Sequence, residues 1–203
     1  MQIDEKQIIA AVNPQKDIDG FHPDSPYTLP LPLAVVEILK EIYIYCHPEA
    51  EDRRILLIKD SSPAEPDQND KLIKWLQSKK TVILGKGPTG GGPILKYLNQ
   101  LGVNPILIDS KALTPDELIK NADIIISAVG KPNIITAEKI KKGVILIGVG
   151  IFRDENGKLQ GDYDEKSIEY KAGFYTPTPG GVGPVNVAML MVNLLNSTIK
   201  QTL

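Results

Sequence analysis

The sequence predicts an α/β fold in which a doubly wound parallel sheet follows a mainly helical first part. From Thr81 onward, short apolar runs that read as buried strands alternate with amphipathic stretches that read as helices, the order expected of parallel strands joined by crossovers. The first of these runs ends in a Gly-x-Gly-x-x-Gly turn that opens directly into a helix. Upstream, residues 3–43 show helical spacing broken by proline-rich turns.

Composition narrows the class of protein. The chain has 203 residues, 42% of them apolar and 24% charged, enough for one large or two small globular domains. A net charge of -2 gives no basic footprint for nucleic acid. No run of about 18 uninterrupted apolar residues points to a membrane span. The first residues show neither a signal peptide's apolar core nor an Arg-rich amphipathic start, so a cytoplasmic location is expected. Cys46, the single cysteine, forms no internal disulfide and stands apart from any metal-ligand spacing.

Taken in order, residues 3–12 place Ile3, Ile8, Ile9 and Val12 on a short helix capped by Asp4 and ended by Asn13-Pro14. Residues 17–26 are rich in turn formers; by themselves Asp17 and Asp19 read as turn residues, and His22 as a loop-shaping group with no second histidine for a metal. Residues 33–43 follow as a core helix, with Val35, Val36, Leu39, Ile42 and Tyr43 on one face and Leu29-Pro-Leu-Pro32 as the turn before it. In residues 44–80 the spacing predicts a strand at 54–58, a loop at 61–67 and a short helix at 70–76, on which Trp75 is a packing anchor.

The strand Thr81-Val-Ile-Leu84 leads into Gly85, Gly87 and Gly90 and a helix over 94–101. This is the context in which glycines let the backbone approach a pyrophosphate while helix N–H groups point at it, and it makes the domain Rossmann-like. The next strand, 105–108, ends at Asp109, 24 positions after Gly85, where an acid binds the ribose hydroxyls of NAD and repels the extra phosphate of NADP. Ser110, Lys111 and Lys86 can still hold that phosphate, so the two cofactors stay open with a lean to NAD. Pro115 opens a further helix, and strands at 122–127 and 144–147 put Val129-Gly-Lys-Pro132 and Gly148-Val-Gly-Ile-Phe152 at carboxyl ends, on the ligand side of the sheet. Residues 154–157 form a hairpin-type turn. Thr176-Pro-Thr-Pro-Gly-Gly-Val-Gly-Pro184 is a rigid, close-approach loop at the start of the last helix. On that helix Val187, Leu190, Met191, Leu194 and Leu195 form a stripe expected to pack in the core, and Asn186 is expected to cap its start.

Two motifs carry a resemblance. Pro179-Gly-Gly-Val-Gly-Pro184 before the last helix, and Lys16-Asp-Ile-Asp-Gly-Phe-His-Pro23 near the start, resemble the signatures of the bifunctional methylenetetrahydrofolate dehydrogenase/cyclohydrolase family, FolD, in the family's order. The resemblance implies that Asp19 hydrogen-bonds the pterin ring of a folate, that Pro179, Gly180 and Gly181 lie on the folate side, and that Ile151 meets the nicotinamide. Gly85, Gly91 and Pro93 match the family's cofactor turn, while Lys86 and Gly87 stand where it has arginine and serine; from the fingerprint, the strand ends and the resemblance together, cofactor contacts are expected at Gly85, Lys86, Gly87, Gly90, Gly91, Asp109, Ser110, Val129, Gly130 and Ile151. The bacterial family prefers NADP, against the lean that Asp109 gives.

Departures from the family matter as much. Only 18 residues precede Asp19, so most of the family's catalytic half, with its Tyr-x-x-x-Lys pair, is expected to be absent, and no residue is assigned as catalytic. The Leu29-Pro-Leu-Pro32 turn lacks the family's threonine. The expected division is a remnant of the folate domain at 1–47, an insertion at 48–80, the NAD(P)-binding domain at 81–178, and the folate-side loop and returning helix at 179–203. Three readings follow: a folate dehydrogenase with an impaired cyclohydrolase step, a non-catalytic dinucleotide-binding protein or half of a split enzyme, and a dehydrogenase of another small substrate. Apolar faces left by the missing elements favour a homodimer or a partner chain.

Overall fold

The computed structural model describes residues 4–48, 66–109 and 115–202. The strand expected at 54–58, most of the loop expected at 61–67, and Ser110 lie outside those residues. Seven strands run in chain order among the described residues: β1 (Thr81–Leu84), β2 (Ile106–Ile108), β3 (Ile124–Ser127), β4 (Ile145–Gly148), β5 (Ile151–Arg153), β6 (Leu159–Gly161) and β7 (Phe174–Tyr175). Five form a sheet of order β2-β1-β3-β4-β7 with every pairing parallel, and β5 and β6 make a separate antiparallel hairpin.

The register explains why the central strands are unbroken apolar runs. Ile83, Ile126 and Ile147 stand side by side across β1, β3 and β4, as do Val82, Ile125 and Leu146 one residue earlier. The isoleucine row packs on one face of the sheet with Leu39, Leu76 and Ile94, and the other row packs on the opposite face with Ile119, Ile140 and Ile168. A strand covered on both sides has no position to give to water, so polar alternation is lost. Each fully buried isoleucine contributes about 1.5–3 kcal/mol against leaving it exposed.

Helices α1 (Glu5–Ala11), α2 (Pro30–Cys46), α3 (Pro66–Gln77), α4 (Gly91–Gln100), α5 (Pro115–Asn121), α6 (Glu165–Ile168) and α7 (Val182–Thr202) complete the chain. Leu72 and Leu76 of α3 share the core of Ile83, Ile94 and Val103, and Trp75 lies partly buried with its ring 5.5 Å from Tyr43. Leu29-Pro-Leu-Pro32 is not a turn ahead of α2. Pro30 is the first helical residue, since the first turn of a helix needs no N–H from its prolines and tolerates their fixed φ.

Two expectations for the last helix are corrected. Helix α7 begins at Val182, so Asn186 lies a full turn inside and does not cap it; Pro184 fits the first turn for the same reason as Pro30. Its stripe is also not in the core: Val187, Met191, Leu194 and Leu195 are 45–55% exposed. The buried side of α7 instead carries Val182, Met189, Asn193 and Ser197. Asn193 donates from Nδ2 to the Ile18 and Thr28 carbonyl oxygens, at 2.8 and 2.9 Å, and so ties the N-terminal loop to the helix. Apolar spacing marks a face that wants cover without saying whether this chain supplies it. By length and composition alone, the 18 residues Val182–Ile199 also suffice to cross a membrane, which the sequence reading had not allowed for. The window carries no charge but does carry Asn186, Asn193, Asn196, Ser197 and Thr198.

Candidate dinucleotide cleft

A cleft of about 590 Å³ opens over the carboxyl ends of the sheet. Its walls are the turn after β1 (Gly87, Thr89, Gly90), the turn after β3 (Ala128, Val129, Gly130), the segment leaving β4 (Gly148 to Ile151), and the loop between β7 and α7, which includes Pro179, Gly180 and Gly181. This is where an open parallel sheet places ligands, in the crevice outside the carboxyl ends of its strands.

The glycines are required by close approach. Gly85 has φ +91°, and a Cβ on it would lie 2.6 Å from the Ala128 carbonyl oxygen. Gly91 is buried against the turn, where a Cβ would come to 1.9 Å from the Gly85 carbonyl oxygen. Gly91 therefore presses helix α4 onto the strand exit, while Gly90 caps the helix and faces the cleft. A Cβ on Gly87 would meet nothing within 4 Å, leaving open space beside the turn. These features fit a pyrophosphate laid against the N-terminus of α4.

Among the described lining residues no side chain is charged; the polar groups are backbone, Thr89, Thr178 and Asn186. The Asn186 Oδ1 atom is buried with no hydrogen-bond partner in the structure. Such a cleft can orient a ligand but offers no general acid or base of its own.

Other predicted residues are not among its lining. Lys86 and Asp109 are exposed, and Gly85 N–H donates to the Ile108 carbonyl at 3.0 Å, which sets Asp109 beside the glycine turn. Asp19 is exposed on the N-terminal loop. Its neighbour Asp17 is buried and shapes that loop, accepting from His22 N–H at 2.6 Å through Oδ2 and from the Ser25 hydroxyl at 2.8 Å through its carbonyl. His22 Nδ1 in turn accepts from Asp24 N–H at 3.1 Å. Gly20, at φ +74°, allows the close pass against the Tyr27 carbonyl.

Three polar residues behind the cleft have no role assigned from sequence. Asp162, fully buried, accepts from the Ser127 hydroxyl and from the N–H groups of Val129, Gly130 and Lys131 at 2.5, 3.0, 2.7 and 2.9 Å. The Tyr163 hydroxyl donates to the Thr176 carbonyl at 2.7 Å, and Thr176 Oγ1 accepts from Gly148 N–H at 2.8 Å. Burial pushes the Tyr163 hydroxyl up to about 12, against the smaller opposing effect of its Thr176 hydrogen bonds. Gly161-Asp-Tyr163 stands out in sequence only as a short step after a hairpin, and its partners lie 13 to 35 positions away.

The family described as tetrahydrofolate dehydrogenase/cyclohydrolase, NAD(P)-binding domain, matches residues 70–202. The bifunctional protein FolD of Staphylococcus aureus (strain JH9) is 34% identical over 194 residues, which are 96% of this chain and 60% of that protein. The chain thus spans about three fifths of the length of the curated relatives it matches. The bifunctional FolD methylenetetrahydrofolate dehydrogenase/cyclohydrolase of Campylobacter jejuni superposes with a TM-score of 0.78 at 29% identity, over 98% of this chain and 64% of that one. The Trypanosoma brucei methylenetetrahydrofolate dehydrogenase-cyclohydrolase, solved with NADP and an inhibitor, gives 0.74 at 25% identity over 99% and 64%.

Proposed function

Because this chain belongs to the tetrahydrofolate dehydrogenase/cyclohydrolase family, we propose that its cleft binds NAD(P) and aligns it with a reduced folate carrying a methylene bridge. The observation that carries this reading is the cleft itself, built from glycine-rich strand exits on one side and Pro179-Gly-Gly-Val-Gly-Pro184 on the other. Bound nicotinamide supplies a hydride acceptor: the methylene carbon loses hydrogen with its electron pair, and the folate leaves as the methenyl cation. Gly87, Gly90 and Gly91 would hold the pyrophosphate end, Val129, Gly130 and Ile151 the nicotinamide end, and Pro179 to Gly181 the folate side. Asp19 accepts two N–H bonds from the aminopyrimidine edge of the pterin. Hydride transfer asks mainly for alignment, which a cleft without charged side chains can provide. Hydrolysis of the methenyl cation asks for proton transfer, and we place its acid–base group outside the described lining, so that step is weak here.

Asp109 beside the glycine turn favours NAD over NADP in this reading, with Lys86 and Ser110 as the counterweight. Residues 1–47 and 179–203 form the folate side and 81–178 the dinucleotide side; α3, whose leucines pack beneath β1 and α4, goes with the latter. The exposed stripe of α7 is the surface on which a second copy docks, or a chain equivalent to the two fifths of the relatives outside the match. The place of action is the cytoplasm, in keeping with the free, exposed Cys46.

The test is the rate of methenyl product formation from methylenetetrahydrofolate with NAD or NADP, by the 203-residue chain and by its Asp19→Ala variant. The expected result is turnover that favours NAD and drops by about tenfold or more on loss of Asp19. Binding of a dinucleotide without any turnover would replace this reading with that of a non-catalytic or split protein, which the uncharged lining also suits.

A further inference from the structure

We propose that Asp162 is a positioning residue of the dinucleotide cleft: its carboxylate takes up the N–H groups of the turn after β3 from behind, withholding them from the ligand and fixing the wall they belong to. The proposal rests on the reading of the cleft as an NAD(P) site.

Three successive N–H groups converging on one point form a concavity that ordinarily takes an anion. Here the anion is internal. Asp162 Oδ1 accepts from Gly130 and Lys131 and Oδ2 from Val129 and the Ser127 hydroxyl, while the Asp162 main-chain carbonyl accepts from Ile134 and Ile135 at 2.9 and 3.2 Å. One residue thus holds the chain from 127 to 135. Gly150 leaves the space this needs, since a Cβ there would lie 2.2 Å from Asp162 Oδ2 and 2.4 Å from Gly130 N. The wall so fixed bears on the glycine turn as well, because Ala128 is the residue that Gly85 and Gly90 approach. A shift at 128–130 therefore reaches both sides of the cleft, and shifts of about 1 Å are enough to spoil alignment. With these donors occupied, the anionic part of a dinucleotide is directed to the turn after β1 and the start of α4.

The test compares Asp162→Ala, Asp162→Asn and Ser127→Ala with the parent chain, by calorimetric titration with NAD and NADP, by amide hydrogen exchange, and with added sodium formate against sodium chloride at equal ionic strength. Both Asp162 variants should bind about tenfold or more weakly, since asparagine turns an N–H₂ toward the donors, and Ser127→Ala, which keeps all three backbone donors paired, less than about threefold. Exchange should accelerate at Val129, Gly130 and Lys131 while β1 is unchanged. Formate, which can enter the emptied concavity, should restore Asp162→Ala in affinity and raise its unfolding midpoint, and should do neither for Asp162→Asn. Parent-like binding by Asp162→Asn, uniform acceleration of exchange, or formate acting no better than chloride would each overturn the assignment. If the parent binds neither dinucleotide, the cofactor reading fails separately, and the exchange and formate results still decide what Asp162 holds.

Discussion

Asp123 and Asp162 stand at opposite ends of the same parallel sheet and use their oxygens differently. At the amino ends, Asp123 accepts from Lys80 N–H at 2.7 Å and pairs with the Lys141 ammonium, with 31% of its side chain and 39% of its partner's exposed. Asp162, at the carboxyl ends, is wholly buried, and its carboxylate accepts from residues 127–131. Water and salt can replace most of what Asp123 does. Nothing can replace the Asp162 carboxylate without entering the fold. The amino end is thus held by exchangeable surface pairing, and the carboxyl end by internal contacts that also shape the cleft.

If that contrast is right, the largest effects come from backbone contacts at the carboxyl end. Gly91→Val puts a side chain against the Gly85 carbonyl, where no flexible neighbour can yield; it should cost about 3 kcal/mol or more in urea unfolding. A cost under about 1 kcal/mol would mean that the turn is soft. Tyr163→Phe comes next, at about 1–2 kcal/mol, because the Thr176 carbonyl loses its buried donor. Burial raises the hydroxyl from its ordinary 10.0 to about 12 in the fold. Its contribution is therefore complete below about pH 10 and is lost as the pH rises toward 12; the parent should lose stability across that window relative to Tyr163→Phe.

The amino end should respond less. Partial burial alone would raise the Asp123 carboxyl, but the Lys141 ammonium and the Lys80 N–H outweigh it and hold it below the ordinary 3.8. Its contribution is present above that value and is lost as the pH falls through the depressed one. Asp123→Asn should cost under about 1 kcal/mol at neutral pH, less in high salt, and the difference from the parent should vanish in acid. A salt-independent loss would contradict the contrast between the two ends. The smallest effect is expected for Lys139→Ala, which removes a pair with Asp116 at 3.0 Å between well-exposed side chains; its unfolding midpoint in urea should shift within experimental error, about 0.5 kcal/mol or less.

How much of this was legible in sequence follows the same division. The strands could be read because Thr81 to Leu84, Ile124 to Ser127 and Ile145 to Gly148 are buried on both faces, and the Asp154 to Gly157 turn because local hydrogen bonds make it. The glycine turn was found, though its tightest contact belongs to Gly91 rather than to Gly90. The role of Asp162 was not legible, since an aspartate between Gly161 and Tyr163 carries no mark of partners more than 30 positions away. Nor could the stripe of α7 reveal its exposure, because its spacing is the same whether or not a surface covers it.

The most direct test of the central claim, that the carboxyl-end cleft binds a dinucleotide, is calorimetric titration of the purified chain and of its Gly87→Asp variant with NAD and NADP. A Cβ at residue 87 meets nothing within 4 Å, so the variant should fold with an unchanged midpoint while setting a carboxylate where the account would lay the pyrophosphate. The account predicts one saturable site in the parent and its loss in the variant. Absence of binding in the parent, or equal binding by both, would contradict it.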